Sequence, residues 1–142
     1  MRWKLKGQIQ RVLSVTPAGD WLHYQLQRRF GGLRDFNREF DIKFDDWKIM
    51  LARLHEQEVS IVGKRLFEIG SGWYPTFPLA CYLGGAAKVT TVDLNKHMKP
   101  DLLLACAERI GESTAAISEA AGIDEASVKA RHGHLLDTLR DS

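Results

Sequence analysis

The residues with the clearest chemical pattern lie in the stretch FEIGSGWYPTFPLACYLGGAAKVTTVDLN, which spans residues 67–95. A glycine turn, Gly70-Ser71-Gly72, follows a short apolar run, and Asp93 ends the next one. A glycine turn at the carboxyl end of a strand lets a ligand approach the backbone and the N-terminus of the following helix. An acid at the tip of the second strand can accept hydrogen bonds from both hydroxyls of a ribose. Together these features predict a site for a nucleoside-containing cofactor.

The residues around the turn narrow the type of cofactor. A dinucleotide site has the pattern G-x-G-x-x-G, whereas Pro75 occupies the last glycine position here. Glu68 stands just before the turn, and its negative charge would repel a pyrophosphate but suit a cation. S-adenosylmethionine carries a sulfonium and an ammonium group and has no phosphate. The pattern therefore favours S-adenosylmethionine over a nicotinamide dinucleotide.

The same residues carry a resemblance to a known family. The sequence EIGSG of residues 68–72, with Asp93 ending the next strand, resembles motifs I and II of the class I S-adenosylmethionine-dependent methyltransferases. The turn GWYP of residues 72–75 and the stretch QRRFGGL of residues 27–33 are similar to a bacterial subgroup. The resemblance covers roughly residues 20–100 and implies methyl transfer from S-adenosylmethionine to an acceptor that the sequence does not identify.

The resemblance also implies roles for individual residues. Glu68 and the glycines would line the methionine end of the cofactor, Asp93 would bind the ribose hydroxyls, and Leu94 would flank adenine. Trp73 and Tyr74 either wall the pocket or pack in the core, and Tyr74 replaces the third glycine of the family pattern. The expected cofactor-binding residues are Glu68, Gly70, Ser71, Gly72, Trp73, Asp93 and Leu94. No catalytic residue is predicted.

The pattern of apolar residues predicts the elements that must position this site. Residues 64–69 predict a strand that is buried on both faces, Pro75 to Leu83 a helix, and residues 88–92 a second strand. Such a βαβ unit should be parallel and right-handed. Further helices are predicted at residues 2–15, 20–30, 45–58, 101–110, 112–121 and 124–140. Asp45 or Asp46 is the expected cap of the third of them, and Asp124 of the last.

These elements predict an α/β protein with a partial Rossmann-like methyltransferase fold, in which one βαβ unit lies between an N-terminal helical cap and C-terminal helices. Residues 1–60 form the expected cap, and residues 61–142 the N-terminal part of an S-adenosylmethionine-binding domain. A class I methyltransferase has a seven-stranded sheet, so we expect a truncated form. Parallel strands with open edges also predict self-association.

Two alternatives stay open at the level of sequence. One alternative to a methyltransferase is a non-catalytic, degenerate or truncated module that binds the cofactor weakly or only pairs with another subunit. The other is a nicotinamide-dependent Rossmann enzyme. Pro75 and Glu68 disfavour the second alternative.

Composition and charge exclude several other classes. The apolar content of 44% and the charged content of 27% are ordinary for a globular protein. The basic residues have no interleaved aromatic residues, so they give no nucleic-acid signal. No apolar stretch is long enough for a membrane span or a signal peptide.

The cysteine and histidine residues predict no metal site. Cys81 and Cys106 lack CxxC spacing and are expected as reduced core residues of a cytoplasmic protein. His132 and His134 are two positions apart and do not share a helix face. His97, which follows Asp93 closely, is either a residue at the mouth of the cofactor site or a solvated loop residue.

Overall fold

The computed structural model describes residues 35–94 and 97–141, together with Tyr24 and Arg29, which are both helical. The helix predicted at 2–15, and all but these two residues of the helix predicted at 20–30, lie outside the described residues. The chain divides into two compact units, Met1–Glu39 and Phe40–Ser142. All residues of the glycine turn and its surroundings belong to the second unit, and the helical cap of residues 1–60 stays a prediction.

Helix α1 spans Phe36–Glu56 and begins well before the predicted start at Asp45 or Asp46, so that prediction was wrong. The helix is capped by Asp35, whose Oδ1 accepts a hydrogen bond from the Arg38 amide at 3.1 Å. The residues before Asp45 look like a polar loop, but their aromatic side chains recur every four positions and form one apolar stripe. Buried residues of this stripe are Phe40, Phe44, Trp47 and Leu51.

The chain then forms a parallel βαβ unit, as predicted. Strand β1, Arg65–Ile69, pairs with β2, Lys88–Val92, and the two are parallel over their full length. Helix α2, Thr76–Leu83, connects them and packs against β2. The described part of the chain is therefore an α/β structure with a two-stranded sheet.

The prediction that β1 is buried on both faces was wrong. Every residue on one face of the sheet is exposed, and Phe67 and Ile69 retain 64% and 80% of their accessible surface. The alternate residues of both strands are half-buried, and α2 packs on β2. Because no element within residues 35–94 and 97–141 covers the exposed face, the apolar side chains of β1 on that face are not buried.

The helices after β2 agree with the predicted ones. Helix α3 spans Pro100–Ile110, a 3-10 turn covers Gly111–Ser113, α4 spans Thr114–Ala121, and α5 spans Glu125–Arg140. The predicted cap of the last helix is confirmed, because the side chain of Asp124 accepts a hydrogen bond from the backbone of the first turn of α5.

Helices α2, α3 and α5 pack against one another, and α5 holds the carboxyl end of α2. The Arg131 side chain of α5 donates hydrogen bonds to the carbonyls of Tyr82 (2.8 Å) and Ala86. Its guanidinium also lies 4.4 Å from the centre of the Tyr82 ring. Arg131 therefore ties the last turn of α2 and the loop after it to α5.

Both cysteines lie in this core as free thiols, as predicted. Burial raises the pKa of Cys81 to about 12, and the nearby Glu68 carboxylate adds to the increase. Burial likewise raises the pKa of Cys106 to about 11. Within the described part of the chain, no helix is long and apolar enough to cross a membrane.

Candidate functional site

The glycine turn leaves the sheet at the carboxyl end of β1. Gly70 and Gly72 have φ angles of +84° and +68°, a left-handed conformation that side chains with a Cβ rarely adopt. The Gly70 amide donates to the Val92 carbonyl at 2.8 Å, so the turn starts beside the tip of β2. The two glycines are therefore required by the backbone conformation of the turn.

The structure brings the predicted acid to this turn. The Gly72 amide donates a hydrogen bond to Asp93 Oδ2 at 2.9 Å, and Asp93 is exposed at the tip of β2. The two sequence features, one after each strand, thus form a single surface at the carboxyl edge of the sheet. This is the edge at which parallel α/β sheets bind ligands.

Glu68 lies on the half-buried face of the sheet, beneath the turn. Its Oε2 accepts a hydrogen bond from Thr91 Oγ1 at 2.9 Å, and the Thr91 hydroxyl also contacts the Ser71 hydroxyl. Ser71 is only 3% exposed, so this hydroxyl chain ties the turn to the strands. A ligand at the turn would therefore meet the backbone of Ser71 rather than its side chain.

The other predicted residues lie around the same edge. The rings of Trp73 and His97 lie in contact, with their centres 4.5 Å apart and their planes tilted by 37°, and this contact joins the turn to the segment after β2. Leu94 is fully exposed, whereas Tyr74 is buried at 5% exposure and packs in the core. Tyr74 therefore packs in the core and does not form a wall of the site, whereas Trp73 is half-buried at the turn.

Sequence reasoning missed Lys43, which reaches the turn from α1. Its ammonium donates to the carbonyls of Ser71 and Tyr74, each at 2.6 Å. The signal that could have found it is the aromatic stripe of α1, because Lys43 stands three positions after Phe40 and four before Trp47 and therefore flanks that stripe. Without α1 in its correct register, however, nothing in the sequence places Lys43 near the turn.

A cavity of about 330 Å³ lies beside the sheet, between α2, β2, α3 and α5. Its walls are mostly apolar and include Leu79, Val89, Leu103 and Leu135. Thr91 is its one link to the hydroxyl chain beneath the turn. Neither glycine of the turn nor Asp93 lines it, but Pro75 at the end of the turn does, so the cavity adjoins the predicted cofactor surface without including its central residues.

The residues from 35–94 and 97–141 contain no group of three or more metal-binding side chains. His132 instead makes a hydrogen bond of 2.7 Å to the Ala107 carbonyl, and His134 lines the cavity. The chemistry that this part of the chain offers is therefore hydrogen bonding and charge at the carboxyl edge of the sheet.

Comparison with known proteins found no match: no protein-family model, no curated protein and no solved structure matches the chain.

Proposed function

We propose that the chain binds S-adenosylmethionine at the glycine turn and belongs to a methyltransferase with a Rossmann-like fold. The observation that carries the proposal is the hydrogen bond of 2.9 Å between the Gly72 amide and Asp93 Oδ2. It joins a glycine turn and an acid at the tips of two parallel strands, the arrangement that binds nucleoside cofactors.

Each residue of this edge has a proposed part in binding. The carboxylate of Asp93 accepts the ribose hydroxyls, and the turn from Gly70 to Gly72 lets the cofactor lie against the backbone. Glu68 gives the site a negative potential that favours the sulfonium and ammonium groups. Trp73 and Leu94 supply apolar surface for the uncharged parts of the cofactor.

The first turn of α2 supports a cofactor without phosphates. A pyrophosphate binds to free backbone amides at a helix N-terminus. Here Pro75 is the N-cap residue and Pro78 lies within the first turn, and neither has an amide hydrogen. The Glu68 carboxylate beneath the turn opposes a pyrophosphate further. The site is therefore suited to S-adenosylmethionine and poorly suited to a nicotinamide dinucleotide.

The proposed reaction is an in-line displacement. Bound S-adenosylmethionine would supply an electrophilic methyl group, whose transfer to the acceptor's nucleophilic atom would leave the carbon–sulfur electron pair on sulfur. The chain's part in this step is to fix the cofactor so that the acceptor meets the methyl group in line. We propose that the protein acts in the cytoplasm, where its free buried thiols Cys81 and Cys106 remain reduced.

Calorimetric titration with S-adenosylmethionine tests the proposal. We expect the wild-type chain to bind, and Asp93→Ala to lose at least about tenfold in affinity because two hydrogen bonds to a charged group disappear. Asp137→Ala is the matched control, since Asp137 is an exposed aspartate on α5. Absence of binding by the wild type, or binding of NADH in its place, would overturn the proposal.

The uncovered sheet face favours a second function, pairing with a second copy of the chain. Phe67, Ile69 and Val92 form an exposed apolar surface on the same face of both strands. Parallel sheets are normally buried on both faces. Within the described residues each strand also has one unpaired edge. We propose that two copies of the chain pair through this exposed apolar face.

A further inference from the structure

Lys43 connects the helix that precedes the sheet to the glycine turn. It lies on α1 and is half-buried, and its neighbours Phe40, Phe44 and Trp47 anchor the helix in the core. Its ammonium donates one hydrogen bond to the Ser71 carbonyl and one to the Tyr74 carbonyl, each at 2.6 Å. Hydrogen bonds from a charged donor are short and roughly twice as strong as neutral ones.

These two bonds determine which way the backbone of the turn faces. Ser71 and Tyr74 are both buried, and their carbonyls accept these hydrogen bonds from the ammonium. The Ser71 carbonyl and the Gly72 amide belong to the same planar peptide group, so fixing one fixes the other. Between the two carbonyls, the Gly72 amide points to Asp93. A single cation that holds carbonyls on both sides of Gly72 thus limits the rotations that would turn this amide away from Asp93.

We propose that Lys43 is a positioning residue for the cofactor surface. It holds the turn so that the Gly72 amide stays hydrogen-bonded to the Asp93 carboxylate. This inference rests on the proposed binding of S-adenosylmethionine at the turn. Lys43 does not touch the cofactor. It stabilises the Gly-Trp-Tyr-Pro turn through its hydrogen bonds to the carbonyls of Ser71 and Tyr74. In this turn, Tyr74 and Pro75 replace the glycines that would let the helix approach closely.

Two measurements on Lys43→Met test the inference: the affinity for S-adenosylmethionine and the hydrogen-exchange rate of the Gly72 amide in the full chain. We expect the affinity to fall and the amide to exchange faster, each by about tenfold or more, because the carbonyls lose a charged donor. Lys43→Arg, which keeps a charged donor, should recover most of both losses. The control Lys48→Met removes an exposed lysine of the same helix, paired with Asp45 at 2.6 Å, and should change neither.

The two readouts separate this inference from the proposed function. Wild-type affinity and wild-type exchange at Gly72 in Lys43→Met would overturn the positioning role. If the wild type fails to bind S-adenosylmethionine, the proposed function is wrong, and the Gly72 exchange rate still decides whether Lys43 holds the turn. If Lys43→Met does not fold, Lys43→Gln, which keeps a neutral donor, is measured with the same two criteria.

Discussion

At the scale of single residues, the site depends on backbone conformations that only glycine adopts easily. Gly70 has a φ of +84°, and a Cβ built there meets nothing within 4 Å. The constraint at this position is therefore conformational rather than steric. Any loss of stability on substitution would come from the backbone alone.

Gly70→Ala should lower the free energy of unfolding by about 1–2 kcal/mol, the cost of the left-handed conformation for a residue with a Cβ. Gly133→Ala is the matched control, because Gly133 lies inside α5 and a Cβ there also meets nothing within 4 Å. The control should stabilise the protein by about 0.5–1 kcal/mol. Urea unfolding followed by circular dichroism measures both, and equal effects of the same sign would contradict this account of the turn.

The two thiols give a second prediction at this scale. Because burial raises the pKa of Cys81 to about 12 and of Cys106 to about 11, both are protonated and shielded in the folded chain. A disulfide reagent at about pH 8 should therefore modify neither within minutes in buffer, and both rapidly in urea. Rapid modification of the folded protein would show that the core around α2 and α3 opens.

At the scale of elements, sequence reasoning succeeded where local signals agree. The strands, α2 and the capped helix α5 follow from short patterns: an apolar run, a glycine turn, a proline in the first turn, and Asp124 as a cap. The predicted start of α1 is too late, because charged residues interrupt the aromatic stripe of the helix. Lys43 is missed because its contact with the turn depends on how α1 packs, and no local sequence pattern reports that packing.

The junction between α3 and α5 offers a prediction of element packing. A Cβ built on Gly111 would lie 2.8 Å from His132 Nε2, and that ring is held by its hydrogen bond to the Ala107 carbonyl. Gly111→Ala should therefore destabilise the protein by about 1–3 kcal/mol. In a His132→Ala background the same change should cost much less, because the obstructing ring is gone. Equal costs in the two backgrounds, measured by urea unfolding, would exclude the clash.

At the scale of the whole molecule, the main feature is a parallel sheet with one uncovered apolar face. The sequence indicated two strands and open edges, but it did not indicate which face would be exposed. The burial of a strand depends on what packs against it, and periodicity within the strand does not report that. Exposed apolar surface of this kind usually marks an interaction site.

The double variant Phe67→Thr with Ile69→Thr should abolish self-association, because it removes the exposed apolar side chains while threonine retains a preference for strands. Sedimentation equilibrium over a range of concentrations measures the effect. Ile49→Thr is the control, since Ile49 is 59% exposed and belongs to α1 and not to either strand. A wild-type chain that is monomeric at all concentrations would refute pairing through this face.

Binding of S-adenosylmethionine at the carboxyl edge of the sheet can be mapped residue by residue from amide chemical shifts measured during a titration. Isotope-labelled protein titrated with S-adenosylmethionine should show its largest shift changes at Gly70, Ser71, Gly72, Trp73, Asp93 and Leu94. The amides of α4 and the second half of α5 should be unaffected. The absence of any change, or changes confined to the apolar cavity between β2 and α5, would contradict the account.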